Sequence, residues 1–191
     1  MGVYVYSFRL TPQKYKLITP QLLLLDELNI FTDSQMKLIL LQIDKTDQNF
    51  VAQGVQEFSK RLSRYIPFET ITISINKTIR NKTITEQKLE EEKQINSHLA
   101  KYDVVFLLDE NGKEFSSLQL ANHLQSILNA GKKSLCFVIG GPYGFTDVLR
   151  KKHALISFSQ FTFSHQLIRV LFCEQLYRAF TIIKGEKYHH Q

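Results

Sequence analysis

The chain is 191 residues long, 43% hydrophobic, 12% aromatic and 22% charged, the balance of an ordinary soluble globular domain with a sizeable core. Its net charge of +6 favours a polyanionic partner, although solubility alone accounts for it equally well. Two cysteines, Cys136 and Cys173, make no disulfide framework, and no apolar run nears the roughly 18 residues that cross a bilayer.

The first 35 residues show no sustained period and contain Pro12 and Pro20. Their three basic residues (Arg9, Lys14, Lys16) balance three acidic ones (Asp26, Glu27, Asp33), so the positive excess belongs to residues 36–191. No basic segment leads into an apolar block with a small-residue exit, as an export signal requires. Tyr6 stands where a myristoylation signal needs Ser or Thr. A reducing, cytoplasmic protein is expected. Met1 and Met36 are the two methionines, and the native domain is expected to span 36–191, with residues 1–35 as an extension from an upstream start.

From Met36, "MKLILLQI" reads as a β-strand. Val51, Val55, Phe58, Leu62 and Tyr65 follow at helical spacing, and Pro67 ends that helix. "FETITISI" alternates as a strand and "NKTIRNKT" reads as a basic loop. A charged helix covers "TEQKLEEEKQINSHL", "DVVFLLD" is a buried strand, and "ENGKEF" reads as a loop. Ser116 or Ser117 caps the next helix and Gly131 ends it. "SLCFVI" is another buried strand, running into "GGPYGF". Thr146 caps a short basic helix, "DVLRKKH". "ALISFSQFTFS" holds too many β-branched, aromatic and hydroxyl residues for a helix. The last helix, "HQLIRVLFCEQLYRAFTII", is apolar nearly all round, which fits a subunit interface or a central core helix equally.

Strands alternating with helices, several as continuous apolar runs, predict a parallel α/β sheet with ligands at the carboxyl ends of its strands. "LLDENGK" and "IGGPYG" lie at that edge. The glycine loop is neither G-x-G-x-x-G nor a P-loop. Its rigid N–H and C=O groups suit a neutral heterocycle better than a phosphate, and a plain turn is the simpler reading. The six histidines form no H-x-x-x-H pair and no C-x-x-C is present, so no metal site is expected. Cys173 reads as core. Arg169 near a helix start opposes the helix dipole, which points to a role other than capping, with solvent exposure as the alternative.

"FVIGGPYGF", "SFSQFTFSHQLIRVLFCEQLYRAFTI" and the tail "YHH" resemble the ribosomal large-subunit methyltransferase H family, over a match running from Met36 to the end. The resemblance implies an α/β fold of the SPOUT type, a trefoil-knotted parallel sheet flanked by helices, in a homodimer. It implies S-adenosylmethionine as cofactor, and N3 of a pseudouridine in a stem-loop of 23S ribosomal RNA as substrate. Three segments are implied to hold the cofactor: Leu108; Gly140 and Gly141; and Ser159, Gln160, Phe161, Thr162, Phe163 and Ser164. Ser164-His165-Gln166 stands where some relatives have Pro-His-Pro, His190 where some have Arg or Lys, and Asp44 where some have glycine.

Methylating N3 needs a proton acceptor and stabilisation of the anionic base. The candidates are Tyr188, His189 and Arg169, with His165 next. RNA phosphates are expected to meet Lys45, Lys77, Arg80, Lys82, Lys151, Lys152 and His190. The expected substrate is the assembled ribosome or large subunit, because one small domain has little grip on RNA. The alternatives are a non-catalytic basic ribosome-binding protein of the same fold and a SPOUT methyltransferase acting on tRNA. A dinucleotide-binding oxidoreductase is disfavoured by the missing fingerprint.

Overall fold

Five strands, β1 (Lys37–Ile43), β2 (Phe68–Ile73), β3 (Val104–Glu114), β4 (Ser134–Ile139) and β5 (Ala154–Ser157), pair in parallel in the order β2-β1-β4-β3-β5. The computed structural model describes residues 36–188; the expectations for residues 1–35, His189 and His190 fall outside the described residues. The helices are α1 (Asn49–Leu62), α2 (Lys77–Arg80), α3 (Ile84–Leu99), α4 (Ser117–Asn129), α5 (Asp147–Lys152) and α6 (Leu167–Ile183).

β1 and β4 lie inside the sheet with helices on both faces, which is why their sequences are unbroken apolar runs. Successive residues of β1 enter different cores. Leu38 and Leu40 pack with residues of α1, α4 and α6. Ile39, Leu41 and Ile43 pack with Ile95 and Leu99 of α3 and Leu149 of α5. Each fully buried Leu or Ile contributes about 2 kcal/mol. β2 is an edge strand, and its alternating Thr and Ile match its half-exposed pattern.

The helix starts follow capping chemistry. Thr83 with Glu86 and Ser116 with Gln119 form capping boxes, and Thr146 accepts the Leu149 N–H. Two expected loops are otherwise. Asn76 accepts the Thr78 N–H and starts the single turn α2 inside "NKTIRNKT". "ENGKE" belongs to β3, which continues past Asn111-Gly112. α6 packs against α1 and α4 and buries Phe172, Leu176, Ala179 and Phe180, so within one chain it is a core helix. Cys173 is core, as expected, and Cys136 is buried in β4.

Asp44 adopts φ +62°, the left-handed region that favours glycine. Its carboxylate accepts the Ile75 N–H at 3.2 Å and pairs with Arg80 at 2.5 Å. These bonds offset the backbone cost and fasten the segment after β2 to the end of β1. Asp44→Ala keeps the strain and loses the bonds, so it should lower stability by about 2 kcal/mol. Asp44→Gly relieves the strain and should lose less. Urea denaturation of the two variants checks that order.

Candidate functional site

An all-parallel sheet brings the carboxyl ends of its strands to one edge. A cavity of 280 Å³ opens there, lined by residues 108–110, 139–145, 156–159 and 161–163, with Arg150, His165 and Ile168. Of the expected cofactor residues, Leu108, Gly140, Gly141, Ser159, Phe161, Thr162 and Phe163 line it together. Gln160 and Ser164 do not. Gln160 is exposed, and the Ser164 hydroxyl accepts the Leu167 N–H at 3.1 Å, opening α6.

The irregular wall after β5 is built by serines. Ser157 Oγ accepts the Ser159 N–H and donates to the Ser159 carbonyl, and Ser159 Oγ accepts the Phe161 N–H. Side-chain hydroxyls thus satisfy backbone groups that no strand partner reaches. Ser164-His165-Gln166 is anchored without prolines. Gln166 donates to the Lys45 carbonyl at 3.1 Å and accepts the Asp47 N–H at 3.2 Å.

β3 bulges beside the cavity, where Leu108 and Lys113 both oppose Ile156. The extra residues include Asp109 and Glu110, which line the cavity. Gly112 makes the bulge possible, since a Cβ there would lie 2.6 Å from both N and C of Ile156. The Asp109 carboxylate accepts the Asn111 N–H at 3.0 Å and Arg150 Nε at 2.8 Å. Burial raises its proton affinity, but these bonds outweigh burial and hold the carboxyl below the ordinary range. Arg150, the cavity's arginine, is thereby neutralised.

The glycine loop is bound from within. Gly141 donates its N–H to Glu91 at 3.3 Å, and its carbonyl accepts the Gly144 N–H at 3.1 Å. The Gly141 N–H is therefore committed to Glu91.

Arg169 is 0% exposed, so the solvent-exposed alternative does not hold. It donates to Thr46 Oγ1 at 2.8 Å and to the Ile43 carbonyl at 2.6 Å. Burial lowers its pKa, and Asp44 and Asp47 oppose that shift. It does not line the cavity. His165 does, half-buried, and burial and then the nearby Arg169 lower its pKa, which favours the neutral imidazole. Tyr188 lies beyond the end of α6 and packs back on that helix, its hydroxyl donating to Glu174 at 3.3 Å and its ring beneath Arg178.

Lys45, Lys77, Arg80 and Lys82 follow β1 and β2 at the same sheet edge and are exposed, with Arg80 held by Asp44. Lys151 and Lys152 end α5, and Lys152 reaches Asn96 on α3 at 3.5 Å. Among the described residues no group of three His, Cys, Asp or Glu side chains is arranged to hold a metal.

Sequence reasoning missed Glu91, Asp109 and Arg150. Glu91 carried a readable signal. It lies four residues before Ile95 and eight before Leu99, a carboxylate on the buried stripe of its helix.

Residues 36–189 match the family model described as predicted SPOUT methyltransferase. The chain is 48% identical to a Flavobacterium psychrophilum protein named ribosomal RNA large subunit methyltransferase H, over 82% of this chain and 100% of the relative. Proteins of the same name from Flavobacterium johnsoniae and Parabacteroides distasonis are 46% and 43% identical, with the same coverage.

Proposed function

The chain belongs to the ribosomal RNA large subunit methyltransferase H family of SPOUT methyltransferases, and from that premise we propose that it methylates N3 of a pseudouridine in a stem-loop of 23S ribosomal RNA, using S-adenosylmethionine. The observation that carries this reading is the convergence of three distant segments, around residues 108, 140 and 160, on one cavity. Its walls fit the cofactor. Leu108, Ile139, Ile156 and Ile168 offer apolar surface for an adenine, and the cavity's arginine is already paired with Asp109. That suits a nucleoside without phosphates.

S-adenosylmethionine, when bound, supplies an electrophilic methyl group on its sulfonium. The chain's own work is to orient the two reactants and exclude water. Among the described candidates we assign the proton of N3 to His165, the neutral base that lines the cavity. Arg169 acts through the 43–46 segment as a positioning residue. Tyr188 and His189 remain candidates for holding the RNA base, and Lys45, Lys77, Arg80, Lys82, Lys151, Lys152 and His190 for its phosphates.

The proposal extends to a trefoil knot, a homodimer, a cytoplasmic location, assembled ribosomes or large subunits as substrate, and residues 36–191 as the domain. Exposed Phe161 and Leu167, near the cavity, are apolar surface that a second copy would cover. Among the described residues no helix is long and apolar enough to cross a membrane.

Mass spectrometry of ribosomal RNA from a strain lacking the gene tests the function. The pseudouridine should lose its methyl group, and an unchanged methylation state would falsify the assignment. Calorimetry with S-adenosylmethionine should show binding; no binding would favour a non-catalytic ribosome-binding protein.

A further inference from the structure

Glu91 reaches the glycine loop from behind, and its carboxylate accepts the Gly141 N–H. Gly141 leaves it room. A Cβ at that position would lie 2.7 Å from Glu91 Oε2 and 2.8 Å from its Cδ. The next residue of α3, Glu92, accepts the Thr146 hydroxyl at 2.6 Å, and Thr146 caps α5. Two consecutive carboxylates of one helix thus hold both ends of a loop whose residues 140–145 line the cavity.

We propose that Glu91 is a positioning residue for the cofactor: its carboxylate fixes the Gly140–Gly141 peptide that forms one wall of the cavity. The inference rests on the function proposed above. Taking a carboxylate out of water costs more than one hydrogen bond returns. An apolar residue would complete the stripe of α3 at less cost, so the carboxylate is accounted for by its hold on Gly141.

The charged groups that bear on Glu91 are Asp44 beyond β1, Arg80 on α2 and Lys88 on its own helix. Burial dominates and pushes the carboxyl up to about 7, against the pull of the Gly141 N–H. The group therefore changes charge in the neutral range. Ionised, it is the stronger acceptor for Gly141 and sets a negative charge behind a cavity proposed to hold a sulfonium. Protonated, it is the weaker one. The contribution to binding is present above that range and fades as pH falls through it.

Calorimetry of S-adenosylmethionine with the full chain, at about pH 6 and about pH 8.5, tests this on the wild type, Glu91→Gln and Glu91→Ala. Glu91→Gln keeps an acceptor but does not titrate. It should match the wild type at the lower pH and bind about fivefold more weakly at the higher, on the scale separating charge-assisted from neutral hydrogen bonds. Glu91→Ala should bind about tenfold more weakly at the higher pH. A constant ratio between wild type and Glu91→Gln at both pH values overturns the inference, as does wild-type affinity in Glu91→Ala. Should Glu91→Ala fail to fold, the Glu91→Gln comparison decides alone. Absence of binding by the wild type overturns the proposed cofactor and this inference together; binding with a constant ratio overturns this inference only.

Discussion

Arg169→Ala should lower the unfolding free energy by about 3 kcal/mol, measured by urea denaturation. The guanidinium is fully buried and donates to Thr46 and to the Ile43 carbonyl. Removing it leaves the space of a long side chain empty, and a buried and a half-buried acceptor without their donor. Relief of the guanidinium's own desolvation reduces the loss without cancelling it, because Asp44 and Asp47 stand nearby as partial countercharges. The damage should be local first. Amide hydrogen exchange should rise at residues 43–47, which Arg169 and Gln166 tie to the start of α6. Arg169→Met, which restores most of the volume, should recover part of the stability and little of the exchange protection. Equal stability in wild type and Arg169→Ala would show that the buried bonds contribute nothing net.

The second large effect is expected at Gly112. The alanine methyl would meet backbone atoms of Ile156 at 2.6 Å, and backbone cannot turn aside as a side chain can. β5 must move from β3, and both strands are walls of the cavity. Gly112→Ala should cost about 3 kcal/mol and weaken S-adenosylmethionine binding together with stability. Gly131→Ala is the contrasting case. A Cβ there meets nothing within 4 Å, and its φ of +68° costs only about 1 kcal/mol. Unfolding curves of the two variants, with calorimetry on each, separate crowding from backbone strain. A Gly112→Ala protein no less stable than Gly131→Ala would count against the close approach.

What could be read in advance depended on whether the signal was local. β1, β3 and β4 were legible because strands buried on both faces must be apolar throughout. Ser116, Thr146 and Gly131 were legible because caps act on their own next turn. The continuation of β3 through Asn111-Gly112 was not, because that pair normally marks a turn and its pairing with the distant β5 holds it as a bulge. The expected cofactor segments came from the resemblance; no periodicity brings the segments around residues 108, 140 and 160 to one cavity. Arg169 could be read as having a role other than capping, but not as buried, because its acceptors lie more than 120 residues away. The place of Glu91 on the buried stripe was readable but its partner was not, since that is a glycine 50 residues on. Asp44 was a departure without an account until its φ and its bond to Ile75 could be seen.

The two buried thiols carry a practical consequence for spectroscopy. Burial pushes Cys136 and Cys173 each up to about 12, so neither is a ready thiolate at neutral pH. With no other cysteine in the chain, the natural protein is already close to a silent background for thiol labelling. A single cysteine placed at Tyr143, exposed in the cavity wall, would take a fluorophore or spin label selectively. Loop motion during cofactor binding would then be observable without first removing the native thiols.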